Sequence, residues 1–258
     1  MTPHVEHDDD IPVGRVLSRR ETLALLGGAG AVVILGGCAP GTSSTAKSAA
    51  TSAGTASSSL PACVARPALT EGPYFVDERL NRSDIRLDPS DNSIKAGVPL
   101  RLAFRVSQLS NACTLLSGAT VDVWQCDALG IYSDVSDPGF NTVGRKFLRG
   151  YQVTDANGAA QFTTIYPGWY QGRTVHIHFK IRTTSGTGST HQFTSQLFFD
   201  DSLTDQVHRQ APYASKGQRT VRNNGDSIFL SGGNQLLLRL TPDGQGYATT
   251  FDIGLQIA

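Results

Sequence analysis

The chain has 258 residues, of which only 17% are charged. Basic and acidic residues number 22 each, so the net charge gives no reason to expect binding to nucleic acid or to an anionic surface. Glycine is frequent, at 27 residues, and methionine occurs once, a composition typical of turn-rich, all-β proteins.

Residues 1–38 are predicted to form an export signal. Ser18-Arg19-Arg20 precedes an apolar run, 23–35, that is too short for an ordinary transmembrane helix. The paired arginines resemble a twin-arginine signal, which exports proteins that have already folded. Leu35-Gly36-Gly37-Cys38 resembles a lipobox, so we expect Cys38 to carry a lipid. The alternative is an ordinary signal that is cleaved near Ala39.

A flexible linker is predicted to follow the signal. Residues 39–60 are almost wholly Gly, Ser, Thr and Ala, and such a segment has nothing to bury. The folded domain is therefore expected to span 61–258. It would lie at the cell surface or outside the cell, with no membrane contact beyond the lipid anchor.

The sequence of the predicted domain indicates strands and turns, with no convincing helical stretch. Short segments rich in β-branched and aromatic residues, several of them alternating between apolar and polar, predict strands. These segments are 99–106, 119–126, 150–154, 159–165, 174–181, 194–199, 226–230, 236–240 and 248–253. The run Asp155-Ala-Asn-Gly158 predicts a hairpin turn between two of them. Without an internal repeat, this spacing favours one all-β domain, a β-sandwich or a barrel.

The four cysteines contain no C-x-x-C pair, which argues against a zinc ribbon or a thioredoxin-like site. Outside the cytoplasm, Cys63, Cys113 and Cys126 would permit one disulfide and one free thiol. We expect Cys63–Cys113, because Cys126 lies inside a predicted strand, where a buried free cysteine is ordinary. The sequence alone leaves the pairing open.

The predicted strand 174–181 carries a His-x-His pair. On a strand, His176 and His178 project to one face, while Val175, Ile177 and Phe179 project to the other. Two imidazoles held side by side on a rigid strand are suited to bind a metal ion. The alternative is a pair of surface histidines on a half-exposed strand.

Three motifs in the domain are jointly quite specific. They are T-E-G-P-Y at 70–74, V-W-Q-x-D-x-x-G-x-Y at 123–132, and P-G-x-Y followed by R-x-x-H-x-H-F at 167–179. In this order they resemble the intradiol ring-cleavage dioxygenases, the family of the catechol and protocatechuate dioxygenases. The resemblance runs from about residue 63 to 201 and implies an all-β fold, the two-sheet β-sandwich of the intradiol dioxygenases. The exported, tethered form is similar to the secreted bacterial branch of that family.

The resemblance implies one non-haem Fe(III) per chain, bound by Tyr132, Tyr170, His176 and His178. Phenolate oxygen suits this hard, highly charged ion better than sulfur does. Tyr166 competes with Tyr170 for the role of ligand, but the family pattern places the ligand after the Pro-Gly turn.

Further roles follow from the same resemblance. Tyr170 is expected to leave the metal and accept a substrate proton. Arg173 would face the substrate and stabilise charge that develops on the attacked ring carbon. Gln196 matches a glutamine that supports the site, and Tyr74 corresponds to an aromatic residue lining the substrate pocket. An ion-pairing surface arginine and an ordinary strand glutamine are the structural alternatives for Arg173 and Gln196.

The implied reaction uses O2 to cleave a catechol between its two hydroxylated carbons, giving a cis,cis-muconate-type diacid. The sequence leaves open which ring substituents are accepted. It also leaves open the oligomeric state, a homodimer being one option. Catechol-specific members dimerise through an N-terminal helical region, and here a signal and a linker stand in its place. Two other interpretations of the function fit parts of the sequence. One is a non-enzymatic, tethered β-sandwich binding lipoprotein. The other is a cupin-type copper or zinc site, which needs further His or Glu ligands that are poorly placed here.

Overall fold

The computed structural model describes residues 63–110, 112–186 and 188–257. The predicted signal (1–38), with its lipobox, and the predicted linker (39–60) lie outside these residues. The described chain first forms eleven strands: β1 Leu87–Asp88, β2 Ser93–Ile94, β3 Pro99–Gln108, β4 Thr114–Leu115, β5 Thr120–Trp124, β6 Ser136–Asp137, β7 Phe140–Asn141, β8 Arg149–Val153, β9 Ala159–Ile165, β10 His176–Thr184 and β11 Thr190–Phe198. Helices α1 (Asp201–His208) and α2 (Ser227–Leu230) follow, and strands β12 (Thr241–Asp243) and β13 (Gly246–Leu255) close the chain.

Two sheets form the predicted β-sandwich. One has the strand order β11-β10-β5-β8; the other has the order β12-β13-β3-β4, with β9 also paired to β3. Inward-facing side chains of both sheets meet in one apolar core. Phe179 of β10, for example, contacts Phe104 of β3 and Phe251 of β13, with ring centroids 5.2 and 5.7 Å apart. The expected fold class is confirmed.

Alternation along β10 separates the core from a second layer. Ile177 and Phe179 lie in the sandwich core, whereas His176 and His178 project from the opposite face of the same sheet. That outer face is not exposed, since both histidines are only 1% accessible. The loops that follow β5 and β9 carry Tyr132 and Tyr170 toward it, and this covered outer face positions the site.

The expectation of no helices is wrong, and helix capping explains why. Asp200 accepts hydrogen bonds from the backbone N–H groups of Ser202 and Leu203 at the start of α1. The segment predicted as strand 226–230 is instead helix α2, because the Asp226 carboxylate accepts from Phe229 N. A side chain that satisfies an otherwise unpaired N–H outweighs the modest strand preference of isoleucine and phenylalanine. In the described part of the chain, no helix is long and apolar enough to cross a membrane.

Two further predictions about strands are wrong. Segment 236–240 begins inside a 3-10 helix, Gly233–Leu236, and touches β11 through a single bridge between Leu237 and Phe198. The turn 155–158 forms as expected, but it does not close a hairpin. It joins β8, which pairs with β5, to β9, which pairs with β3, so it crosses between the sheets.

Cys63 and Cys113 form a disulfide, with their Cα atoms 5.5 Å apart, and Cys126 is the buried free cysteine. This is the expected pairing. The bond joins the start of the described chain to the loop between β3 and β4 across a sequence separation of 50 residues. In the chain-entropy model, closing a loop of that length stabilises the fold by about 4 kcal/mol.

Candidate metal centre

A row of side chains crosses the outer face of the four-stranded sheet. Directly opposed residues on neighbouring strands share a face, and here Arg149, Trp124, His178 and Gln196 are opposed in sequence across β8, β5, β10 and β11. Trp124 stacks on the His178 ring at a centroid distance of 5.0 Å and an interplanar angle of 9°. This contact fixes the plane of the imidazole.

The two imidazoles converge through their Nε2 atoms, which lie 3.0 Å apart. His176 Nδ1 lies 2.6 Å from the carbonyl oxygen of Thr174, an acceptor only, so Nδ1 carries the proton and donates it. His176 Nε2 therefore presents a lone pair toward the shared point. A metal-binding histidine typically makes such a hydrogen bond through its other ring nitrogen, because the bond fixes the tautomer and the orientation of the ring.

The loop after β5 brings Tyr132 to the same place. Asp127 Oδ1 accepts hydrogen bonds from the backbone N–H groups of Leu129 and Ile131, at 2.9 and 3.0 Å, and so holds the turn that precedes the tyrosine. Gly130 occupies this turn at φ 79°. A Cβ there would lie 2.2 Å from Trp169 O, so only glycine permits the close approach to the next loop.

Tyr170 arrives from that second loop, between β9 and β10. Gly168 lets the loop backbone pack against residues 127–128, because a Cβ there would lie 2.4 Å from Ala128 O. The Tyr170 hydroxyl lies 3.0 Å from His176 Nε2, and the Tyr170 and Tyr132 ring centroids are 5.7 Å apart. The competitor Tyr166 points elsewhere: its hydroxyl pairs with Thr204 Oγ1 at 2.7 Å.

Burial controls the protonation of all four groups. It lowers the pKa of His176 to about 3, with the Arg173 guanidinium adding to the effect, and it holds the pKa of His178 well below its ordinary value. Burial also raises the pKa of Tyr132 and of Tyr170 well above 10. The protein alone therefore presents two neutral imidazoles and two protonated phenols. A cation at the shared point would reverse the preference of the phenols.

The donor set fits a hard transition-metal cation. The Tyr132 hydroxyl is buried and has no hydrogen-bond partner within residues 63–110, 112–186 and 188–257, an arrangement that costs free energy unless another group satisfies it. Over the same residues, no group of three or more His, Cys, Asp and Glu side chains is placed to hold a metal ion. The donors that converge are thus two imidazoles and two phenols.

Arg173 is anchored beside the donors. Its Nε donates to Asp226 Oδ2 at 2.9 Å, and its Nη2 donates to Gln196 Oε1 at 2.6 Å. Gln196 Nε2 in turn donates to the carbonyl oxygen of Thr70 at 3.0 Å. Within the described chain Nη1 makes no hydrogen bond, so one end of the guanidinium is left for a ligand.

An aromatic wall covers the tyrosines. The half-buried Tyr74 ring lies 4.6 Å from the Tyr132 ring and 6.4 Å from the Tyr170 ring, centroid to centroid. Phe140 of the β6–β7 hairpin packs against Tyr74 at 6.4 Å. A planar aromatic ligand would meet apolar faces here and hydrogen-bonding groups at the donor cluster.

The structure thus brings together every candidate ligand and pocket residue named from the sequence. They are Tyr74, Tyr132, Tyr170, Arg173, His176, His178 and Gln196. Sequence reasoning gave no role to Trp124, Arg149 or Asp226. The register of the sheet could have placed Trp124 and Arg149 beside His178, but no local signal connects Asp226 with Arg173, 53 residues earlier.

These observations define a cluster of two histidines and two tyrosines on the outer face of a β-sandwich, with the donor atoms that a single metal ion would need. A family model described as "Dioxygenase" matches residues 70–220, more than half of the chain. The chain therefore belongs to this family, that of the intradiol ring-cleavage dioxygenases, whose members are oxidoreductases.

Individual relatives agree with this assignment. The solved intradiol ring-cleavage dioxygenase of Tetranychus urticae is 30% identical, with a TM-score of 0.65, and the match covers 75% of this chain and 95% of that one. The protocatechuate 3,4-dioxygenase beta chain of Burkholderia cepacia is 28% identical over 182 residues, 66% of this chain and 71% of that protein. The match to chlorocatechol 1,2-dioxygenase of Pseudomonas putida is 30% identical but spans only 31% of this chain and 36% of that protein.

Proposed function

We propose that the protein is a non-haem Fe(III)-dependent intradiol dioxygenase. It would cleave catechols between the two hydroxylated carbons with O2 and release cis,cis-muconate-type diacids. The observation that carries this proposal is the convergence of two imidazoles and two phenols at one buried point, where the Tyr132 hydroxyl makes no well-formed hydrogen bond in the described chain. Membership of the family supports the reaction class.

Tyr132, Tyr170, His176 and His178 would hold one iron per chain. Phenolate oxygen suits the hard Fe(III) ion, and two phenolates would offset two of its three positive charges. When bound, the iron supplies Lewis-acid activation of the catechol and the redox chemistry of its reaction with O2. The remaining tasks fall to the side chains of the protein.

The two tyrosines are not equivalent. Both lie on loops, but Tyr132 is 1% exposed and packs against Tyr74 and Trp124, whereas Tyr170 is half-buried. Tyr170, the more exposed of the two, is therefore the tyrosine that we expect to change position. Its Oη is therefore the atom that accepts and holds a proton released when a catechol binds.

Arg173 supplies fixed positive charge. Asp226 and Gln196 hold its Nε and Nη2, so the guanidinium is already oriented before a ligand arrives. Preorganised charge in a water-poor site stabilises negative charge that develops on a bound ring more effectively than solvent does. Tyr74, Phe140 and Val135 form the apolar cover that excludes water from the ring.

Optical spectroscopy of the purified full-length protein tests this proposal. We expect a visible tyrosinate-to-iron charge-transfer band, a shift of that band when catechol is added without oxygen, and uptake of one O2 per catechol cleaved when air is admitted. A protein that stays colourless and iron-free after loading with iron would overturn the proposal. It would instead favour a tethered, non-enzymatic binding module.

Export and lipid anchoring are a separate proposal, which rests on the sequence of residues 1–38. We propose export through the twin-arginine route and lipidation at Cys38, so that the linker tethers the enzyme outside the cytoplasm. Replacing Arg19 and Arg20 by lysine should leave the protein in the cytoplasm, and Cys38→Ala should release it from the membrane fraction. Recovery of Cys38→Ala in the membrane fraction at the wild-type level would contradict lipidation at this residue.

A further inference from the structure

The β6–β7 hairpin places a carboxylate beside the aromatic wall. Asp137, the last residue of β6, accepts a hydrogen bond on Oδ2 from the Tyr74 hydroxyl at 2.7 Å and another on Oδ1 from Gly139 N at 2.9 Å. Both oxygens are therefore held in place. Tyr132 is fully buried, Tyr74 and Asp137 are half-buried, and Pro138 is exposed, so Asp137 lies on the path from the site to solvent.

The cations nearest the site cannot neutralise Asp137. Arg149 is only 2% exposed, and its donors are used by Ser133 and by the carbonyl oxygen of Tyr74. Arg173 is paired with Asp226 on its Nε side. Neither guanidinium reaches the Asp137 carboxylate.

Three other cations on this side of the sheet have acidic partners of their own. The pairs are Lys146 with Glu78, Lys180 with Glu71, and Arg182 with Asp77 and Asp122. Asp137 forms no ion pair with any described lysine, arginine or histidine. Among the side chains of residues 63–110, 112–186 and 188–257, its negative charge is therefore uncompensated.

We infer that Asp137 is a specificity-determining residue that selects against catechols bearing an anionic ring substituent and favours neutral or cationic ones. The inference rests on the proposed function and names the substrate class of that site. A ring held by the donor cluster and packed under Tyr74 and Phe140 directs its outward substituent toward the hairpin. A carboxylate there would face Asp137, with which no described basic side chain pairs, whereas an ammonium group would be attracted.

Three catechols of similar shape separate charge from size: 3,4-dihydroxybenzamide, 3,4-dihydroxybenzoate and 3,4-dihydroxybenzylamine. We expect the wild type to favour the amide over the benzoate in kcat/KM by about 10-fold, the effect of one unit charge several ångströms away between protein and water. Asp137→Asn removes the charge and nearly keeps the shape: its amide oxygen can accept from Gly139 N, and its amide N–H can donate to the Tyr74 hydroxyl oxygen. It should shrink that preference several-fold and lower the relative rate with the benzylamine.

Asp155→Asn is the matched control. Asp155 also holds a turn, accepting from Asn157 N and Ala159 N at 2.8 and 2.9 Å, but it lies at the opposite end of β8 from Arg149. It should leave all three ratios unchanged. If the wild type cleaves catechol but Asp137→Asn leaves the amide-to-benzoate ratio as it was, the inference fails while the proposed function stands. A wild type that cleaves none of these compounds, catechol included, would overturn both.

Discussion

Replacing Tyr132 by phenylalanine should abolish iron binding and ring cleavage without weakening the fold. The substitution removes only a hydroxyl that has no hydrogen-bond partner in the described chain. Removing a buried, unsatisfied polar atom relieves a penalty of about 1–3 kcal/mol, so the metal-free variant should be at least as stable as the metal-free wild type. Activity should fall by more than about 100-fold, since changes to groups that merely support a metal ligand already cost 10- to 100-fold.

Tyr166→Phe provides the matched control, because it makes the same chemical change at an equally buried tyrosine. Its hydroxyl pairs with Thr204 Oγ1, so this variant should lose about 1 kcal/mol of stability yet keep its iron and its activity. Both variants are compared with the wild type. Mass spectrometry and visible absorption measure bound iron, oxygen uptake measures activity, and denaturant unfolding with chelator present measures the stability of the metal-free protein. Wild-type iron content in Tyr132→Phe, or iron loss in Tyr166→Phe, would show that the ligand assignment is wrong.

The strands of the sandwich could be predicted from sequence, because the alternation of apolar and polar residues shows which face of a strand is buried. The segments 99–106, 159–165 and 248–253 lie within or coincide with strands β3, β9 and β13. The errors fall where a single side-chain contact decides the conformation. Asp226 converts an apolar, strand-like pentapeptide into a helix through one hydrogen bond to Phe229 N, which a propensity averaged over five residues does not register.

The residues of the site likewise divide into those that local sequence predicts and those that depend on distant contacts. Strand periodicity alone places His176 and His178 on one face, but their role, like the positions of Tyr132 and Tyr170, needed a motif. Loop conformation sets the direction of the two tyrosines. Asp137 and Asp226 carry no motif, and their roles depend on contacts with residues 63 and 53 positions away in sequence. Such long-range partners of an active-site group become visible only once the loops are placed.

Asp226→Asn should lower kcat about 10- to 100-fold while iron content stays at the wild-type level. Asp226 Oδ2 accepts from Arg173 Nε at 2.9 Å and from Thr174 N at 2.7 Å, and the carboxylate is 2% exposed. Loss of its charge leaves the guanidinium without its ionic partner and free to turn away from the ring. In the proposed function Arg173 acts mainly on charge that develops during reaction, so kcat should fall more than KM rises.

Asp200→Asn separates this effect from helix capping, since Asp200 caps α1 as Asp226 caps α2 but makes no contact with Arg173. It should change kcat less than about two-fold, because asparagine caps helices as well as aspartate does. A double-mutant cycle with Arg173→Lys then measures the coupling directly: the two substitutions together should cost little more than Arg173→Lys alone. Fully additive losses would mean that Asp226 acts on the fold and not through Arg173.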